Sequence, residues 1–433
     1  STEDAHGYNI AIGGYALQDQ DAGANAYNIA IGYQAGKDVS TGLVNTLIGG
    51  FAGTALTTGG DNIAIGYAAL KTEDAHGKNI AIGVQALEDQ DAGADAYNIA
   101  IGHQAGRDVS TGVQNVLIGG SAGDALTEGS YNVAVGRHAL STEDDHGKNV
   151  AVGFQALYAQ NAGADAYNIA VGYNAGGTIS TGVDNTIIGG LAGDAVTTGS
   201  YNVAVGRSAL GANTIASSNT SIGWNSLGDN VDGSKNVAIG HQSLRNFDPA
   251  SAADTFNVAL GYHSGLSVST GTQNTIIGGA AGDALTTGAS NIIIGYNAAA
   301  SAVDVSNEVN IYNGSVTARF QGSASSWSFV SDARDKKDIE DLELGVEFIN
   351  KLKPRKFKWD LRDSDVDKGK QASGFVAQEI QEVLDNESID YSGIVDTNNP
   401  DQYTVAQASM IPMLVKAIQE LSAEVKELKK QIN

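Results

Sequence analysis

The sequence has no cysteine, so no disulfide staples the fold and no thiol chemistry is available to it. Proline is nearly absent, at 4 of 433 residues, and methionine is scarcer at 2. A chain that turns often without proline needs another residue to turn on, and glycine, at 55 residues, supplies it. The composition is therefore not that of a proline-rich disordered tract. Cations are also few: 25 Lys plus Arg against 49 Asp plus Glu give a formal net charge of −24. Phosphate contacts need cations, so nucleic acid and anionic membrane surfaces are not expected partners. No apolar run approaches the roughly 20 residues of a membrane-spanning helix, and the opening STEDAHGYN does not read as a charged, then apolar leader. No membrane insertion and no cofactor are expected. Residue 1 already falls inside a repeat, so the sequence is expected to be a fragment of a longer chain.

What is present in abundance is a short unit, Asn-apolar-Ala-apolar-Gly, as in NIAIG at 9–13, 28–32 and 62–66. Its Asn recurs at 9, 28, 45, 62, 79, 98, 115, 132, 149, 168, 185, 202, 219, 236, 257, 274, 291 and, in decayed form, 310. That predicts eighteen coils. The first spacings run 19, 17, 17 and 17 and then repeat, so STEDAHGYN at 1, KTEDAHGKN at 71 and STEDDHGKN at 141 are near copies in a 70-residue super-repeat.

Within a coil, large and small apolar residues alternate with period two, which predicts a short strand with two Ile on one face and Ala on the other. Five-residue strands bounded by Gly can bury an apolar face only by stacking on the next coil, which gives a parallel β-solenoid. At about 4.8 Å between strands, eighteen coils would extend on the order of 85 Å. Gly at Asn+4 (Gly13, Gly32, Gly49) is expected to turn a corner where a Cβ would be strained. The small residue at Asn+7 (Ala16, Ala35, Ala52) is expected on an otherwise wet face, in contact with another chain. The stacked Asn side chains are expected to satisfy turn backbone groups along the column.

The N-x-A-I-G-x-x-A pattern over about 9–314 resembles the head repeats of trimeric autotransporter adhesins. That resemblance implies a homotrimer of left-handed β-rolls packed about an axis. Periodicity alone implies only a solenoid.

Two features depart from the plain repeat. His6, His76 and His146 recur once per super-repeat beside acidic residues such as Glu3 and Asp4. They lie some four coils apart, on the order of 19 Å along the stack, and with no second ligand at metal-site spacing they are expected to be solvated loop histidines rather than a metal column. Between about 210 and 270 the repeat loosens. Trp224, Arg245, Phe247 and Phe256 fall in or near a longer loop, SLRNFDPASAADTFN, and are the candidate receptor-binding residues, aromatic faces being suited to sugar rings.

From Ser331 the charge density rises, with 15 Lys plus Arg and 21 Asp plus Glu in 331–433. The expected organisation is a shaft over 1–314, a connector over 315–330 and a separate small α+β domain over 331–433. Ile411, Leu414, Ile418, Leu421, Val425, Leu428 and Ile432 alternate by three and four, which predicts a coiled-coil helix over 411–432. Pro412 is compatible only with its first turn or a kink.

The segments SDARDK (331–336), GVEFINKLKPRKFKW (345–359), GFVAQEI (374–380) and IPMLVKAIQEL (411–421), in that order, closely resemble the C-terminal intramolecular chaperone domain of phage tail fibres and tailspikes, the endosialidase-type self-cleaving peptidases. The resemblance implies a domain that trimerises, helps the β-rich fibre into register and then cuts itself off, here between Val330 and Ser331. Carried over by position, Ser331 is the nucleophile, Lys336 the general base, and Asp332 orients the turn or the Lys. Lys serves as a base only when burial or a cationic neighbour holds it neutral, and Arg334 and Lys337 are the candidate neighbours. Such an enzyme turns over once per chain.

The expected protein is thus a homotrimeric structural and host-recognition fibre of a virion tail or an extracellular cell surface, binding a host or prey glycan or a protein receptor. A bacterial adhesin is one alternative, although an adhesin's barrel anchor would show amphipathic strands where this sequence reads as helix. A glycan depolymerase is another. It would need a singular carboxylate pair, whereas the acidic residues here follow the repeats.

Overall fold

A computed structural model describes residues 7–249, 251–314, 317–321, 328–329, 336–358, 360, 369–389, 393–397 and 403–432. The chain divides into two compact units, Ser1–Val330 and Ser331–Asn433.

The first unit is a parallel β-solenoid of eighteen turns. A strand follows each Asn of the repeat from Asn9 to Asn291. The last, Glu308–Tyr312, has Glu308 rather than the expected Asn310 at the ladder position, Asn310 lying opposite Ile293 at the strand centre. Each strand pairs in parallel and in register with its neighbours one coil away. Ile63, Ala64 and Ile65, for example, lie against Ile80, Ala81 and Ile82. The regular strands are three residues long rather than five, because Gly at Asn+4 already leaves the extended region: Gly66 has φ +143°. A Cβ there would run into the backbone carbonyl of Gly83 in the next coil. The coil bends at further left-handed positions, Asp61 (φ 59°), Ala68 (55°) and Leu70 (50°) in the same turn. The parallel ladder ends where Glu308–Tyr312 pairs antiparallel with Thr317–Gln321, which in turn pairs antiparallel with Ser328–Phe329. The long loop after Asn236 is tied in by a second parallel pair, Gly233–Ser234 with Ala253–Asp254.

The Asn residues from 28 onward are buried, and they bind along the stack. The Asn45 backbone N–H donates to Asn28 Oδ1 (2.8 Å), and Asn45 Nδ2 donates to Gly59 O (2.9 Å). Such a side chain links its own coil to the next through two backbone groups that otherwise have no partner, whereas Asn79 and Asn149 use only Oδ1, their Nδ2 atoms being buried without a partner.

The two strand faces separate as the alternation predicts, and the structure shows which one is inside. The central residue of each strand points inward, so Ala30, Leu47, Ala64 and Ala81 are fully buried, and the flanking Ile or Val point outward and are half-exposed or exposed. The Asn+7 alanines, Ala35 and Ala52, are also fully buried in the chain's own core rather than on an outer face. The reason is the narrowness of the coil. Leu47 fills the space above Gly36 and Gly53, whose added Cβ atoms would strike its Cδ atoms, so each inward Leu needs small neighbours and most inward positions hold Ala. A further core column stands at Asn+11, with Val39, Leu56, Val109, Leu126, Ile179 and Val196.

The second unit contains helix α1 (Val346–Lys351), an antiparallel pair of strands (Arg355–Lys358 with Gln371–Gly374), helix α2 (Ala377–Asn386), a second short pair (Val395–Asp396 with Thr404–Val405) and helix α3 (Ile411–Ile432). Phe348, Leu352, Ile380, Leu384, Ile394, Met410 and Met413 form its core. Pro412 is the second residue of α3, where a missing N–H costs no helical bond. Glu420 of α3 accepts a bond from Val346 N (2.8 Å), which satisfies an otherwise open donor at the start of α1. Among the described residues no helix is long and apolar enough to cross a membrane.

Candidate functional sites

The expected cleavage site, Val330, Ser331 and Asp332, lies outside the described residues, as does Arg334. Lys336 and Lys337 are described and exposed.

The four receptor candidates do not form one surface. Phe247 is fully buried, and this corrects its reading as a loop residue. It stands at Asn236+11, the core column of Val39 and Leu56, and packs over Gly233, where a Cβ would meet its ring. Arg245 is partly buried. Trp224 is exposed and follows its strand, beginning a ring column with His241 (4.7 Å between centroids) and Tyr262 (5.1 Å from His241). Phe256 precedes its strand, with Lys235 Nζ 5.4 Å from its ring centre.

The histidines are not isolated. Glu73, Asp74, His76 and Asp91 each offer a ligand atom, and these atoms lie within 4.8 Å of one another. Glu143, Asp144 and His146 repeat the arrangement. His6, of the first copy, lies outside the described residues. In each described copy the Glu occupies the Asn+11 core column and is fully buried. The Glu three residues before each His thus takes the place of a core Val or Leu. Burial pushes the Glu73 carboxyl up to about 7, with a backbone bond from His76 opposing the shift and the charges of Asp91 and Asp74 adding to it. Glu143 is likewise pushed up to about 7, chiefly by burial.

Two apolar surfaces have no cover within the described residues. The first is the outward Ile and Val of the coil strands, including Ile10, Ile12, Ile101, Ile169 and Ile292. The second is on α3, where Met413 and Ala417 face the unit's own core, but Ile411, Leu414, Ile418, Leu421, Val425, Leu428 and Ile432 stand exposed, Ile418 at 65 % and Ile432 at 84 %.

Residues 331–389 match the family described as chaperone of endosialidase. The chain therefore joins a parallel β-solenoid of eighteen turns to a C-terminal domain of that family, and the match begins at the residue where the second unit begins. No curated protein and no solved structure matches the chain.

Proposed function

We propose that three copies of the chain assemble into a fibre, with the solenoids as shafts and the C-terminal domain as the device that brings the three ends together. The observation that carries this reading is the heptad seam of α3. Seven apolar side chains on one face of a 22-residue helix stand in solvent while its other face is already used by the domain's own core. A free monomer gains nothing from that arrangement, and a parallel coiled coil buries it. The outward Ile and Val columns supply a matching apolar surface along the shafts.

A repetitive shaft needs such a clamp. Slipping one chain by 70 residues against another matches nearly as well as the correct register, and slow non-local strand pairing is exposed to aggregation. In this reading assembly is followed by one cut. Ser331 Oγ, deprotonated by Lys336, attacks the Val330 carbonyl carbon. The bond from that carbon to the Ser331 nitrogen breaks, the nitrogen takes the proton, and an ester joins Val330 to Ser331. Water then hydrolyses the ester, leaving the Val330 carboxylate and a free Ser331. Asp332 orients the turn or the Lys. The released shaft, on a virion tail or a cell surface, recognises a host or prey glycan or protein receptor.

Intact-mass analysis and light scattering test the two halves separately. The wild type is expected to lose the 103-residue piece 331–433, whereas Ser331→Ala and Lys336→Ala stay whole. In the Ser331→Ala background the mass in solution is expected to be that of three chains, falling to one with Ile418→Asp and Leu421→Asp. An intact wild type refutes the cut and leaves the fibre standing. A monomeric Ser331→Ala chain refutes the fibre.

A further inference from the structure

The polar residues of the Asn+11 column are Gln, Glu and, at Asn213 and Asn230, Asn, and the fold treats the Gln and the Glu of each super-repeat differently. Gln90 and Gln160 are completely satisfied: Gln90 Nε2 donates to Ser110 O (2.9 Å) and its Oε1 accepts from Asn98 Nδ2 (2.6 Å). Gln160 makes the same two bonds, to Ser180 O (3.3 Å) and from Asn168 Nδ2 (2.6 Å). The glutamates one coil earlier are not. Glu73 Oε1 accepts from His76 N (3.2 Å), but its Oε2 has no partner, and neither carboxyl oxygen of Glu143 has one. His76 Nδ1 and His146 Nδ1 are likewise buried without a partner, each 3.8 Å from the Glu Oε1.

Glu73 Oε2, both Glu143 oxygens and the two imidazole Nδ1 atoms are buried without partners, as are Asn79 Nδ2 and Asn149 Nδ2, and a carboxyl facing an imidazole nitrogen in this way leaves a gap for a group that accepts lone pairs from both. Asp74 and Asp91 complete one rim and are exposed, so the gap opens to solvent. We propose that each super-repeat holds a divalent transition-metal ion of the Zn²⁺ type, ligated by Glu73, His76 Nδ1, Asp74 and Asp91 in one copy and by Glu143, His146 Nδ1 and Asp144 in the next.

The donor set selects the ion class. Imidazole nitrogen with carboxylate oxygens suits zinc and its neighbours, whereas calcium and magnesium prefer oxygen alone. Atoms held at about 2.0–2.2 Å from one ion are at most about 4.4 Å apart, so these ligand atoms, which lie within 4.8 Å of one another, draw slightly closer on taking up the ion. The two sites are not equal. Position 161, which corresponds to Asp91, is Asn161, so the second site has one carboxylate fewer and binds more weakly. Each ion joins side chains from the coil beginning at Asn62 or Asn132, and in the first site Asp91 comes from the following coil. Zinc therefore compensates a buried charge in both sites and pins neighbouring coils together in the first.

The test uses the full chain, stripped with a chelator and dialysed, then titrated with Zn²⁺ by calorimetry, with retained metal measured by mass spectrometry. The wild type is expected to bind at micromolar Zn²⁺ and to melt at a higher temperature with the ion. The double variant Glu73→Gln/Glu143→Gln is expected to bind two equivalents fewer and, because an amide needs no counter-charge, to fold without the ion at least as stably as the stripped wild type. His76→Ala/His146→Ala, which alters only partly exposed side chains, is expected to lose the same two equivalents. Unchanged stoichiometry in both double variants overturns the proposal, as does a wild type that takes up no zinc. Displacement of zinc by an equal concentration of Ca²⁺ overturns the choice of ion.

Discussion

Replacing Asn115 by Ala removes one rung of the ladder and nothing else from the core. Asn115 Oδ1 accepts from Asn132 N (2.9 Å), and its Nδ2 donates to Gly129 O (2.9 Å). Both backbone groups sit in buried residues, so the variant leaves a donor and an acceptor without partners. Each costs about 1–3 kcal/mol, giving a local loss of about 2–6 kcal/mol. In a solenoid each coil contacts only its neighbours, so the loss stays near the coils that begin at Asn115 and Asn132. Hydrogen exchange followed by mass spectrometry reads this directly. At about 1.4 kcal/mol per factor of ten, amides over 112–132 are expected to exchange at least about 30 times faster, with coils beyond Asn202 unchanged. Glu128→Gln, an exposed change in the same coil, is the control. Exchange within two-fold of wild type over 112–132 refutes the ladder as a source of stability, and equal acceleration at distant coils refutes the nearest-neighbour picture.

Gly66→Ala places a Cβ against the next coil's backbone at φ +143°, and strain alone in that region costs about 1–3 kcal/mol; a protease series is expected to nick the coils around 66 well before those around 189. Glu73 and Glu143 carry folded pKa values of about 7 against an ordinary 4.5, so the folded state holds more protons than the unfolded between those values. In chelator, stability is therefore complete near pH 4.5 and falls as pH rises to about 7; melting temperatures across that window are expected to decline, and Glu73→Gln/Glu143→Gln to flatten the slope. Glu420→Ala leaves Val346 N without its acceptor, a change of about 1 kcal/mol by analogy with lost helix caps, visible as faster exchange at α1 with little change at α2.

The number of turns, the strand positions and the limits of α3 were legible because they depend on period alone. Asn, Gly and the apolar alternation recur at spacings that only stacked coils can use, and the three-four pattern from Ile411 to Ile432 has no strand reading. Which face of the strand points inward was not legible, since alternation of period two is unchanged when the strand is turned over. The usual guide, that the larger apolar residue goes inside, fails in a coil so narrow that Leu47 already occupies the space of two glycines. The burial of Phe247 and of Glu73 was hidden for a related cause. Both occupy Asn+11, a column defined only by counting from Asn through a variable loop, and neither has the Val or Leu that would have revealed it as core. The same count separates each acidic neighbour from its histidine: Glu73 lies three residues from His76 in sequence, yet it belongs to the core and the histidine to the rim. Turning the strand over also moves the apolar surface available for association. Had the Ile and Val pointed inward, the outer face of every coil would carry Ala at the strand centre, too small to bury much area. With Ala inside, each coil presents two branched side chains, and stacking in register lines them up as unbroken columns. At about 25 cal/mol per Å² of apolar surface, the larger outward side chains make the shaft, as well as α3, a surface from which a partner can exclude water.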